Sequence, residues 1–158
     1  MVDSLGIDLV EVKSIKILME KWGDRFLHRV FTPWEIAYCK SKNAPEQSFA
    51  ARFAAKEAIL KAIGTGLSQG IRWTSMEVVN DKNGSPSVKL GKRIKDKIGD
   101  KKILISMSHT KEYAIAQMKD IKTGARNNGQ TAAMKGVMHL VSDEEIAIIG
   151  EWLSTLKP

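Results

Sequence analysis

Residues 46–64 read EQSFAARFAAKEAILKAIG, and this stretch decides how the rest of the chain is arranged. Alanine and long unbranched side chains dominate it, a composition that favours helix, and Gly64 and Gly66 supply the stop. The pattern predicts a central helix over about 46–63. Within it Arg52 and Lys56 are four apart, as are Glu57 and Lys61, so each pair projects from one side of the helix. On an isolated helix this would be an ordinary solvated face, its Glu–Lys pair worth about 0.3–0.5 kcal/mol.

The segments around this helix supply its partners. Upstream, LGIDLVEV (5–12) is short and rich in β-branched residues, which predicts a strand. Alternation places Asp8, Val10 and Val12 on one face and Ile7, Leu9 and Glu11 on the other. A carboxylate among valines needs a cation. Residues 13–22 carry Ile15, Leu18, Met19 and Trp22 at helical spacing and are predicted to end at Gly23. In TPWEIAYCKSK (32–42), Thr32, Pro33 and Glu35 form a capping box with proline at the first helical position, predicting a helix that ends near Asn43 to Pro45.

Downstream, RWTSMEVVND and SPSVKL flank Asn83-Gly84, a strong hairpin signal. A short basic helix at about 91–98 follows. KKILISMSH (101–109) and YAIAQMKDI (113–121) then read as two further strands joined by a polar turn. The order predicts an α+β fold, an antiparallel-rich sheet packed against the central helix with a C-terminal helical extension. The expected division is a domain over 1–119 and a linker plus helical tail over 120–158.

The chain has 158 residues, a length suited to one core. Its charge of +7 is uneven: residues 1–119 hold 21 basic and 13 acidic side chains, residues 120–158 hold 4 and 5. A hydrophobic fraction of 43% excludes a disordered polycation. Such a charge suits nucleic acid, an anionic membrane, a phosphorylated small molecule or an acidic protein. Cys39 is the only cysteine, which excludes an intrachain disulfide and a Cys-rich zinc site and fits a reducing compartment. No apolar run is long enough to span a bilayer, and the first twelve residues are acidic where a secretory signal would be basic. A cytoplasmic location is the expectation.

Asp8 and Glu57 offer two oxygen ligands, the set magnesium takes together with waters and substrate phosphate oxygens. Lys61, Lys56, Arg52 and His109 would surround such a site with positive charge, suiting magnesium plus a polyphosphate. Taken singly, Asp8 reads rather as a structural ion pair to a lysine and His109 as a turn histidine.

Four segments carry a resemblance that combines these residues: GIDLVEV at 6–12, RFLHRVFTPWEI at 25–36, FAARFAAKEAILKAIGTG at 49–66 and ISMSHTKEYAIAQ at 105–117. In this order and at these separations the chain resembles the holo-acyl-carrier-protein synthase family, the small 4′-phosphopantetheinyl transferases, over residues 1 to about 119. The resemblance implies transfer of 4′-phosphopantetheine from coenzyme A to a serine of apo-acyl carrier protein, releasing adenosine 3′,5′-bisphosphate, in support of fatty acid biosynthesis. It implies magnesium on Asp8 and Glu57, and Lys61 on the phosphate assisting transfer. Glu57 is the candidate base, directly or through a metal-bound water.

By the same resemblance, Arg52, Lys56 and His109 hold the nucleotide phosphates. Ser108 and Thr110 shape the turn beneath, and Gly64 and Gly66 either admit the ligand to the backbone or simply stop the helix. Lys13, Lys16, Lys21, Arg25 and Arg29 are available to steer the acidic carrier. The family often carries arginine directly after the position of Lys13, and here that residue is Ser14. Family members of this size are homotrimers with sites between neighbouring subunits, which implies the same assembly here. Neither nucleic acid nor a membrane is an expected partner.

The stretch GQTAAMKGVMHLVSDEEIAIIGEWLSTLKP (129–158) resembles the C-terminal end of a class I cytochrome c, with Met134 at the ligand position. The haem attachment motif is absent, so a haem role is excluded. Ser142 and Glu145 form a second capping box, and Ile146, Ile149 and Leu153 follow at helical spacing. The tail is read as non-catalytic. Two other functions compete: a basic nucleotide- or RNA-binding module, against which the ten aromatic residues and the two carboxylates count, and a longer sibling transferase built as a pseudo-repeat, of which the sequence shows no sign.

Overall fold

The computed structural model describes residues 4–122. Expectations about the tail beyond residue 122, including Met134 and its helix, lie outside the described residues. The elements run β1 (Leu5–Glu11), α1 (Val12–Val30), α2 (Pro33–Lys40), α3 (Pro45–Ile63), β2 (Met76–Asn80), β3 (Pro86–Leu90), α4 (Lys92–Ile98), β4 (Lys101–His109) and β5 (Tyr113–Lys122). β1, β5 and β4 form a three-stranded antiparallel sheet with β5 in the middle, and β2 and β3 form a separate hairpin. The α+β expectation holds, with two sheets in place of one.

α3 is central because it is buried nearly all round. Phe49, Ala50 and Ala51 join Ile15, Leu27 and Val30 of α1, Phe31 just after it and Ile36 of α2 in one core cluster. Ala54, Ala55, Ala58 and Ile59 join Met76, Val78, Ile94, Ala116 and Met118 in another. Each large aliphatic or aromatic side chain so enclosed contributes roughly 1.5–3 kcal/mol, and alanine lets neighbouring backbones come close. The closest approach is at Gly6 of β1, where a Cβ would collide with the Ala58 carbonyl oxygen and lie 2.9 Å from the Ala62 nitrogen. Only glycine there lets β1 lie directly on α3.

Several predicted boundaries move. The first helix continues past Gly23, which adopts φ 51° and ψ −134° and kinks it, and runs on to Val30. α2 ends at Lys40 rather than near Asn43 to Pro45, its cap at Ser41 bonded back to Ala37 and Tyr38. Residues 73–75 form a 3₁₀ turn ahead of β2 instead of extending the strand. β5 pairs with β4 as far as Lys122, so the folded ladder passes the expected domain boundary at 119. The capping box at Thr32 is present as predicted: its hydroxyl accepts from the Glu35 N–H at 3.3 Å, and the Thr32 N–H donates to Glu35 at 2.8 Å.

Candidate functional site

Alternation along β1 turns Gly6, Asp8 and Val10 toward α3 and leaves Leu5, Ile7 and Leu9 outside. Asp8 thus lies on the helix-facing side of the sheet, and the Glu57–Lys61 stripe of α3 borders it. Lys61 Nζ donates to Asp8 Oδ1 at 2.6 Å and to the Ile7 carbonyl at 3.3 Å. The Asp8 side chain is 12% exposed and that of Lys61 53%, so the carboxylate is fixed while the ammonium end can move. The bond to Asp8 raises the Lys61 pKa, with a smaller contribution from the Glu57 charge.

Glu57 is half-buried. Burial pushes its carboxyl above the ordinary value, the neighbouring Asp8 charge pushes it further, and Lys61 opposes both. Two carboxylates that repel each other at the rim of a helix–strand contact form a site that a cation would relieve. Among the described residues no group of three or more His, Cys, Asp or Glu is gathered to hold a metal. The donor set, two hard carboxylates with the other positions left to water or substrate oxygens, fits magnesium and does not fit a closed zinc centre.

Asp8, Glu57 and Lys61 are therefore brought together as predicted, whereas Arg52 and Lys56 are not. Lys56 is fully buried, its ammonium donating to Glu35 Oε2 at 2.7 Å, the Val30 carbonyl at 2.8 Å and the Trp73 carbonyl at 3.1 Å. All three of its protons are used inside the protein, which removes it from the phosphate-binding set. Arg52 is 3% exposed and donates to Asn80 Oδ1 at 2.6 Å and the Ser48 carbonyl at 3.4 Å, with its guanidinium over the Tyr38 ring. It ties α3 to β2 and offers no open face to a nucleotide. The two residues lie on the side of α3 away from β1, which the four-residue spacing could not reveal.

His109 closes β4, opposite Ala114 of β5, which in turn faces Val10 of β1. It is exposed and two strand spacings from β1, a lateral separation of about 10 Å, so within one chain it does not join the Asp8 cluster. Ser108 is exposed beside it, and the Thr110 hydroxyl accepts from the N–H groups of Glu112 and Tyr113, shaping the turn as expected. Gly64 adopts φ 73° and caps α3, its N–H donating to the Leu60 carbonyl, and the space beside it is open. Its conformation accounts for the glycine by the helix stop alone.

Lys13, Lys16, Lys21, Arg25 and Arg29 are all exposed along α1. Lys16 lies 4.0 Å from Glu20, and Ser14 donates to Glu11. A cavity of about 450 Å³ opens at the end of this helix, lined by His28, Arg29, Arg72, Trp73 and Thr74. It does not include Asp8, Glu57 or Lys61. The sequence reading missed His28, Arg72 and Trp73, since nothing in their local pattern signals convergence. Cys39 is buried, and burial pushes its thiol up to about 12, which makes it unreactive.

The family model of the 4′-phosphopantetheinyl transferase superfamily matches residues 4–118, and the chain belongs to that family. Among curated proteins, the holo-[acyl-carrier-protein] synthase of Protochlamydia amoebophila is 46% identical over 112 residues, covering 71% of this chain and 92% of that relative. That of Koribacter versatilis is 45% identical over 121 residues, covering 75% and 97%. Among solved structures, the holo-[acyl-carrier-protein] synthase of Neisseria meningitidis superposes with a TM-score of 0.71 at 30% identity, covering 77% of this chain and all of the other. The Helicobacter pylori enzyme, solved in complex with coenzyme A, gives 0.68 at 29%, covering 74% and 99%. Among the described residues, no helix is long and apolar enough to cross a membrane.

Proposed function

We propose that this protein transfers 4′-phosphopantetheine from coenzyme A to a serine of apo-acyl carrier protein, releasing adenosine 3′,5′-bisphosphate and so activating the carrier for fatty acid biosynthesis. The observation that carries the reading is the Asp8–Glu57–Lys61 cluster at the β1–α3 contact, in a chain whose relatives bear the synthase name. Asp8 and Glu57 would hold magnesium, which when bound supplies positive charge against the pyrophosphate. Lys61, half-exposed on a flexible stem, can turn from Asp8 to the phosphate oxygens and stabilise charge that builds there during transfer. Glu57 is the candidate acceptor of the serine proton.

The serine oxygen forms a bond to the phosphorus next to the pantetheine arm as that phosphorus loses its bridging oxygen to the departing bisphosphate. No covalent enzyme intermediate is required. The exposed cations of α1, together with the cavity formed by His28, Arg29 and Arg72, support docking of an acidic carrier protein.

The proposed assembly is a homotrimer. The sheet face away from α3 exposes Leu5, Ile7, Leu9, Tyr113 and Ile115, at 55%, 49%, 62%, 47% and 39%, more apolar surface than a monomer ordinarily leaves in one place. Leu9 and Ile115 are cross-strand neighbours on it. Packing of copies through this face would let His109, Ser108 and Thr110 of one chain serve the Asp8 cluster of another. The intracellular, reducing location expected from Cys39 accords with a coenzyme A substrate.

Mass spectrometry of apo-acyl carrier protein incubated with the protein, coenzyme A and magnesium tests the reading. The expected result is the phosphopantetheine mass addition, and its absence refutes the assignment.

A further inference from the structure

The most enclosed polar group in the described residues is the ion pair between Lys56 and Glu35, both 0% exposed. Lys56 Nζ reaches the Val30 carbonyl at the end of α1, Glu35 in α2 and the Trp73 carbonyl ahead of β2. Glu35 Oε2 also accepts from the Thr32 N–H at 2.8 Å, and Oε1 accepts from the Val78 N–H of β2 at 2.9 Å. One pair thus gathers four segments onto α3, with every donor and acceptor matched. Burial of this kind is costly and contributes little net stability relative to an apolar replacement, so its value lies in what it specifies.

What it specifies follows from its place in the helix. Glu57 is the next residue, rotated about 100° from Lys56, so it faces β1 while Lys56 faces the α1–α2 corner. Any roll of α3 that loosened the Lys56 contacts would carry Glu57 with it. A carboxylate about 6 Å from the helix axis moves roughly 2 Å for a 20° roll. Magnesium ligands sit at about 2.0–2.1 Å with little tolerance, so such a roll would take Glu57 out of reach of a cation shared with Asp8.

We propose that Lys56 and Glu35 are positioning residues, a buried ion pair that sets the rotation of α3 and thereby aims Glu57 at Asp8 across β1. The inference rests on the functional reading above in taking Asp8 and Glu57 as the metal carboxylates. It assigns Lys56 no contact with coenzyme A.

The test is the double variant Lys56→Met/Glu35→Gln, which removes both charges of the pair together, beside Lys56→Met alone and the wild type. Divalent-cation binding is read by titration with manganese followed by electron paramagnetic resonance, and folding by thermal denaturation. Transfer kinetics give kcat and the KM for coenzyme A. The expected result is a folded double variant whose manganese affinity falls by about tenfold or more. Its kcat should fall about 10²-fold, with the KM for coenzyme A unchanged within about twofold. A raised coenzyme A KM with normal manganese binding would overturn the proposal and make Lys56 a phosphate ligand. Wild-type manganese affinity and kcat in the double variant would also overturn it, as would failure of that variant to fold, since the pair would then serve stability alone. Failure of the wild type to transfer would fall on the functional reading, and the manganese comparison would still decide this one.

Discussion

Replacing Gly6 by alanine separates the two halves of the candidate site with one methyl group. In the structure that methyl would collide with the Ala58 carbonyl oxygen and stand 2.9 Å from the Ala62 nitrogen, both backbone atoms of a helix that cannot yield locally. β1 must therefore retreat from α3 by about 1 Å, an overpacking cost of roughly 1–3 kcal/mol. For a domain of this size, that lowers the Tm by about 3–15 °C. The same retreat lengthens the 2.6 Å bond between Lys61 and Asp8 and draws Asp8 away from Glu57. A displacement of about 1 Å at reacting groups costs on the order of 10²-fold in rate. Transfer to apo-carrier, followed by mass spectrometry over a magnesium series, should show kcat reduced by that order and a higher magnesium requirement, measured below the variant's Tm. A Gly6→Ala protein with wild-type Tm and wild-type kcat would refute the claim that close β1–α3 contact builds the site.

Asp8→Ala and Lys61→Ala should each reduce transfer by about 10³-fold or more, read by the same mass assay, because the first removes a carboxylate that would hold magnesium and the second a cation at the phosphate. Magnesium affinity should weaken as pH falls through the Glu57 pKa, which lies above the ordinary carboxylate value, because the protonated carboxyl no longer binds a cation; titration calorimetry at several pH values measures this. Thr32→Val removes the hydroxyl that caps α2 and donates to Glu77 at 2.6 Å, and should cost about 1–2 kcal/mol in chemical denaturation. The Thr32 bond also holds the Glu77 carboxyl below its ordinary value, so the deficit should shrink as pH drops through the acid range, where Glu77 protonates in either protein. Truncation after Lys122, which keeps every β4–β5 pair, should leave transfer within about twofold.

Much of the site was legible because it is written in short-range patterns. Alternation in β1 placed Asp8 inward, the capping box located the start of α2, and the four-residue step joined Glu57 to Lys61 on one side of α3. The same step misread Arg52 and Lys56. Periodicity says which residues share a side of a helix but not whether that side meets solvent, and α3 is buried almost all round. Its alanines, read as helix formers, prove equally to be close-packing residues against β1.

The His28–Arg29–Arg72 cavity and the separation of His109 from Asp8 were hidden for a related reason. Both depend on which segments, distant in the chain, come to lie side by side. Element types, the capped start of α2, the basic character and the family motifs follow from neighbours a few residues apart, where backbone preference and side-chain spacing act directly. Tertiary packing alone decided that Lys56 pairs inside with Glu35 while Lys61 pairs at the rim with Asp8. A lysine on a helix is drawn inward only where a carboxylate and free carbonyl oxygens from other segments can satisfy all its protons, and those partners lie 21, 26 and 17 residues away.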